Sequence, residues 1–424
     1  MHSHPFHYRN GSLFCEDADL ALLAKAHGTP AYVYSKNAIA SRFETYRNSF
    51  AGLPNRICFA VKANSNLAVL ATLARLGAGF DIVSAGELHR VLAAGGDPAT
   101  VVFSGVGKTA AEIRFALEKG IRGFNCESEQ EIETISQIAV SLHRTASIAI
   151  RVNPDVNAIT HPYISTGLRE HKFGIDIAVA EEVYRRAARL PGIAPEGVSC
   201  HIGSQLLDIG PLLEASEKVL ELVARLRSSG LPIRDLDLGG GLGVAYRPDE
   251  RGACIQNLAE RLRPQLEGLG LTLLLEPGRS IVAEAGILLT RVLLTKRNGE
   301  KLFVVVDGAM NDLIRPALYQ AYHELQPVRE AGADSSVITA DIVGPVCETG
   351  DFFARGREIA RVNPGDLLAI RTAGAYGFVL SSNYNSRPRA CELLVDGAEV
   401  LVARGRETFE DLVRGEVPFL RETS

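Results

Sequence analysis

The sequence has no C-x-x-C pair, no ligand set at metal-binding spacing, no apolar run long enough to cross a bilayer and no large excess of charge. Its cysteines, at positions 15, 58, 126, 200, 254, 347 and 391, are scattered, and they read as reduced thiols rather than a disulfide framework. No metal is expected. A net charge of -5, with 22% charged residues, excludes the basic footprint of a nucleic-acid binder or of a protein drawn to an anionic membrane. Met1 to Tyr8 lacks the basic start and apolar core of a signal peptide, so a cytoplasmic location is expected. The early histidines His2, His4 and His7 read as a polar tail more readily than as a metal tract. Internal repeats and low-complexity linkers are also missing.

What is present is a chain of 424 residues, 46% hydrophobic, long enough for two or three domains. A helix is predicted from Asp17 to Gly28, followed by a short strand from Ala31 to Tyr34. Short β-rich runs then recur, each ending in a polar or glycine turn before a helical pattern. They are Ile57 to Val61, Gly79 to Val83, Thr100 to Ser104, Arg122 to Asn125, Ser147 to Val152, Gly197 to Ile202, Leu236 to Leu238 and Thr272 to Leu275. This rhythm predicts an α/β fold, a (β/α)8 TIM-like barrel over residues 35–286. A doubly wound open sheet would not usually need so many consecutive units. Beyond about Ile287 strands follow one another without long helices: Leu302 to Val306, Val337 to Val343, Asp366 to Arg371, Tyr376 to Ser381, Arg389 to Val395 and Glu399 to Val402. Residues 287–424, joined by 1–34, are expected to form an antiparallel β-barrel or sandwich domain.

The ends of the barrel strands carry the reactive side chains: Lys62, Asp81, Ser104, Asn125, Asn153, His201, the glycines 239–241 and Glu276. In a barrel these converge on one mouth. Lys62 follows the apolar run Cys58-Phe59-Ala60-Val61, and a desolvated amine has a lowered pKa that makes it nucleophilic toward carbonyls, the aldehyde of pyridoxal phosphate included. Gly239-Gly240-Gly241 follows the seventh predicted strand, where barrel enzymes often bind phosphate, although glycines also simply make tight turns. Glu276-Pro277-Gly278-Arg279 ends the eighth. There the carboxylate could meet a protonated pyridine nitrogen or pair internally with Arg279. His201 could stack on a flat ring, or serve as a hydrogen-bonded structural residue, and the Ser204 hydroxyl could bind a phosphate oxygen. Farther on, Cys347-Glu348 lies in a polar turn between strands, as an accessible proton-exchanging thiol or an inert one. Arg315 and Tyr319 share a face if helical, with Arg315 able to clamp a carboxylate or merely cover a surface, and Tyr376 is an aromatic among small residues.

Together these segments resemble the fold-type III pyridoxal-phosphate decarboxylases over nearly the whole chain. The resemblance rests on Phe59-Ala60-Val61-Lys62-Ala63-Asn64, Asn153-Pro154-Asp155, Thr160 to Gly167, Lys172-Phe173-Gly174-Ile175 and His201-Ile202-Gly203-Ser204-Gln205. It rests equally on Glu276 to Arg279, Arg315 with Tyr319, Cys347-Glu348 and Ser381 to Pro388. It implies that Lys62 bonds the cofactor aldehyde, that His201 stacks on the ring and that Glu276 meets the ring nitrogen. Ser204, Gly240, Gly241, Pro277, Gly278, Arg279 and Tyr376 would complete the cofactor site. Substrate would meet Arg279, Arg315, Tyr319, Glu348 and Tyr376, with Cys347 as proton donor. The implied substrate is meso-2,6-diaminopimelate, the product L-lysine, and the assembly a homodimer in which Cys347 and Glu348 serve the Lys62 of the partner. Relatives acting on ornithine, arginine or carboxynorspermidine, or a non-catalytic binding relative, are the alternatives.

Overall fold

The computed structural model describes residues 4–156, 172–332 and 335–416, so the segment from Thr160 to Gly167 lies outside the described residues. The chain divides into two compact units, residues 36–285 with 374–379, and residues 1–35 with 286–373 and 380–424.

In the first unit eight parallel strands close into a barrel: β1 Asn55–Ala60, β2 Gly79–Ile82, β3 Val101–Phe103, β4 Gly123–Cys126, β5 Ala146–Asn153, β6 Ile193–Ser199, β7 Asp235–Asp237 and β8 Thr272–Leu275. Each pairs with the next, and β8 returns to β1 through Leu273–Asn55 and Leu275–Ile57. Phe59, Phe80, Phe103 and Phe124, one from each of the first four strands, are fully or almost fully buried. Burying such a ring contributes about 1.5–3 kcal/mol. The helices begin where side chains satisfy the orphan N–H groups of their first turns. Asn66 accepts from Ala68 N ahead of Leu67–Arg75, Ser84 from Glu87 N ahead of Ala85–Ala93, and Thr109 forms a reciprocal box with Glu112. These caps sit at the ends of β1, β2 and β3, so the residues that start the helices also shape the barrel mouth.

The second unit is built on the long strand Gly286–Asn298. One part of it pairs antiparallel with Lys301–Val306, and the other with Leu367–Ile370 and Ala31–Ser35. The N-terminal strand therefore belongs to this sheet. The sheet is mixed rather than purely antiparallel, because Lys301–Val306 runs parallel to Val337–Val343, and Cys391–Asp396 parallel to Ala31–Ser35. Its core gathers Leu13, Leu20, Val33, Ile287, Leu289 and Leu393. Two local expectations fail. The first helix starts at Leu20, because Asp19 is its cap, and Tyr376 to Ser381 is no strand. Tyr376 has a left-handed backbone at φ 55°, and Phe378–Leu380 makes a 3-10 turn. Among the described residues no helix is long and apolar enough to cross a membrane.

Candidate active site

The barrel mouth gathers Lys62, Asp81, Ser104, Asn125, His201, the glycines 239–241 and Glu276, which the sequence places at strand ends. Lys62 lies in the 3-10 turn Val61–Ala63 that continues β1, and its Nζ donates to Asp81 Oδ2 at 2.6 Å. Burial alone lowers an ammonium pKa, and a lowered value was the expectation for Lys62. The structure corrects it: Asp81 first, then Glu276, outweigh burial and raise the pKa of Lys62. Paired with Asp81, this amine is held as an ammonium.

Across the barrel, Asn125 links two more carboxylates. Its Nδ2 donates to Asp237 Oδ2 at 2.9 Å and to Glu276 Oε1 at 3.0 Å, with Ser104 Oγ 3.1 Å away. Asp237 Oδ1 in turn accepts from Gly239 N at 2.8 Å. Glu276 Oε1 accepts from Asn125 and from Ser104, at 3.0 and 3.4 Å, while the Arg279 guanidinium is directed to Tyr246 and Ser204. Burial, then the charges of Asp237 and Asp81, hold the Glu276 carboxyl well above its usual range. Burial also raises that of Asp237. Three buried carboxylates, Asp81, Asp237 and Glu276, thus crowd together, a costly arrangement that a further cation would relieve.

The glycines form the adjoining wall. A Cβ on Gly240 would stand 2.3 Å from the Glu276 carbonyl oxygen, and Gly241 adopts φ 107°, so neither position accepts a side chain without strain. Gly240 N donates to His201 Nδ1 at 3.3 Å. Burial, Arg151 and Lys62 lower the His201 pKa well below its usual value, leaving a neutral, flat imidazole. Gln205 binds Val244 through both its amide groups, fixing the loop after β6 to the loop after β7. Arg279, just beyond Pro277 and Gly278, is buried, and its guanidinium donates to Tyr246 Oη at 2.8 Å and to Ser204 Oγ at 3.0 Å. It also lies over the ring of Tyr376, 4.8 Å from the centroid, while Tyr376 N donates to Ala63 O at 2.8 Å beside the Lys62 turn.

In the second unit Arg315 and Tyr319 do share a short helix, Arg315–Tyr319, and Arg315 is buried with Nη1 3.0 Å from His323 Nε2. Cys347 and Glu348 are exposed on a turn that Asp351 braces, accepting from Val346 N and Met310 N, both at 2.7 Å. Cys347 N donates to Asn385 Oδ1 at 2.9 Å, which ties this turn to the Ser381 to Pro388 segment. Asp237 and Tyr246 were missed by sequence reasoning. Asp237 looks like an ordinary residue in Leu-Asp-Leu, and Tyr246 lies in coil beyond the glycines; only its nearness to the glycine cluster could have pointed to it.

A lysine amine, a neutral imidazole, side-chain-free backbone and a carboxylate cluster in need of a cation fit pyridoxal phosphate, whose protonated ring nitrogen and phosphate match the last two. Comparison with known proteins agrees. The family described as pyridoxal-dependent decarboxylase, pyridoxal binding domain, matches residues 36–283. A diaminopimelate decarboxylase of Pseudomonas aeruginosa is 57% identical, with 97% of this chain and 98% of that protein covered. That of Aquifex aeolicus is 49% identical, with 96% of each covered. Among solved structures, diaminopimelate decarboxylase of Helicobacter pylori complexed with L-lysine superposes with a TM-score of 0.89 at 45% identity, covering 93% of this chain and 98% of that one. The chain belongs to the pyridoxal-dependent decarboxylases, and within them to the diaminopimelate decarboxylases.

Proposed function

We propose that this chain decarboxylates meso-2,6-diaminopimelate to L-lysine, the last step of lysine biosynthesis, with pyridoxal 5'-phosphate as cofactor. The observation that carries this reading is Lys62 at the end of β1, facing Asp81 and Glu276 in a family of that activity. When bound, the cofactor takes the substrate amine and accepts the electron pair left by departing carbon dioxide.

The chain's own residues do the rest. Lys62 would hold the cofactor at its aldehyde carbon, and Asp81 would bind the Lys62 ammonium when the lysine is not so engaged. Glu276, kept in place by Asn125, binds the ring nitrogen and keeps it protonated. His201 lies against the ring without adding charge. Ser204, Gly240, Gly241 and the turn Pro277, Gly278, Arg279 cradle the phosphate, with Tyr376 beside them. Arg279, Arg315, Tyr319, Glu348 and Tyr376 read the substrate, whose second amino-acid head offers a carboxylate to an arginine and an ammonium to Glu348. The Cys347 thiol gives a proton to the carbon that has lost its carboxylate.

In this reading the barrel, residues 35–286, is the cofactor domain, and residues 1–34 with 287–424 supply the substrate and proton-donor groups. The protein works as a homodimer whose sites are shared, Cys347 and Glu348 of one protomer serving the Lys62 of the other. Its free cysteines suit the reducing cytoplasm. Carbon dioxide release from a panel of meso-diaminopimelate, ornithine, arginine and carboxynorspermidine tests the substrate. Preference for meso-diaminopimelate is expected, and equal turnover of ornithine would overturn it.

A further inference from the structure

We propose that His323 is a positioning residue that orients the Arg315 guanidinium for the distal carboxylate of the substrate, an inference that rests on Arg315 being a substrate-binding group. His323 is fully buried. Its Nδ1 lies 2.8 Å from the carbonyl oxygen of Arg371, which can only accept, so Nδ1 carries the proton. Nε2 is then left with a lone pair, and it lies 3.0 Å from Arg315 Nη1, which can only donate. The tautomer is thus set on one side and used on the other, as in sites where a second partner fixes the working nitrogen of a histidine.

The ring has little freedom. Arg357 Nη1 donates to the His323 carbonyl at 3.0 Å, and Arg371 N donates to Glu324 O at 2.9 Å. Directly after it Leu325–Pro327 pairs with Leu367–Ile370. His323 is therefore held by the sheet, whereas Arg315 sits in a helix of only five residues that needs an external reference. A neutral imidazole acceptor can provide one without cancelling the guanidinium charge. A carboxylate in its place would orient the arginine and neutralise it together.

The test compares His323→Gln, which can return an acceptor oxygen to the Nε2 position, with His323→Asn, which cannot reach it. Both are measured as cofactor-loaded full-length protein. His323→Asn should raise KM for meso-diaminopimelate about 10- to 100-fold while kcat changes less than about threefold. The Kd for L-lysine, measured by calorimetry, should rise in parallel, and the cofactor spectrum should be unchanged. His323→Gln should restore KM and Kd to near wild type. A wild-type KM in His323→Asn, equal impairment of both variants, or loss confined to kcat overturns the proposal. Arg315→Lys separates the two layers: if it leaves KM unchanged, the substrate role of Arg315 fails. If it raises KM and His323→Asn does not, only the role of His323 fails.

Discussion

The Lys62 ammonium lies 2.6 Å from Oδ2 of Asp81, a carboxylate whose other oxygen is buried without a hydrogen-bond partner among the described residues. The pair governs when the lysine can react. Only the neutral amine attacks an aldehyde. Asp81 raises the Lys62 pKa, so it delays capture of the cofactor. In Asp81→Asn the pH profile of capture moves to lower pH, read as the growth of the visible cofactor band in cofactor-free protein from about pH 6 to 10. An unshifted profile contradicts this role for Asp81.

The Glu276 carboxyl has the opposite consequence for the empty protein. Burial and its acidic neighbours raise its folded pKa, so the native state binds more protons than the unfolded chain. That contribution is fully present below the unfolded value, about 4.3, and is lost as pH rises through the folded one. The cofactor-free protein loses Tm along that path, and Glu276→Gln makes the loss shallower. A pH series of melting curves decides, and identical slopes in the two proteins would refute the argument.

Gly240 leaves no space for a methyl group, the nearest atom being a backbone oxygen that cannot rotate away. Gly240→Ala costs about 1–3 kcal/mol of overpacking and displaces the cradle. A lower Tm together with weaker pyridoxal-phosphate binding is the expected result; unchanged Tm and affinity would show that the loop has room.

Much of this site is legible in the sequence, and the reason is local. Lys62, His201 and Glu276 each follow a short apolar run and precede a turn, so strand period and turn chemistry locate them before any contact is known. Asn125 reads as a strand end, but its bonds to Asp237 and Glu276 span more than a hundred residues and depend on barrel closure. The strand Gly286–Asn298 is blurred by the apolar residues of the preceding short helix Arg279–Val282. Tyr376-Gly377-Phe378-Val379-Leu380 has strand-forming side chains, yet the bond from Tyr376 N to Ala63 O accompanies a backbone that no strand adopts.

Cys347 is exposed on its braced turn, so removing its thiol leaves the fold intact. Cys347→Ala keeps the cofactor spectrum and slows turnover about 10²- to 10⁴-fold. Mixing it with Lys62→Ala subunits restores part of the activity if sites are shared. No recovery after verified subunit exchange contradicts the shared site, and wild-type turnover of Cys347→Ala contradicts the proton donor.

The central claim is that Lys62 carries the cofactor through the decarboxylation. Borohydride reduction of the loaded protein, followed by peptide mapping and a carbon dioxide assay, addresses it directly. The expected result is one pyridoxyl label on Lys62, with label, visible band and carbon dioxide release from meso-diaminopimelate all absent in Lys62→Ala. A label on another lysine, or undiminished carbon dioxide release by Lys62→Ala, would contradict it.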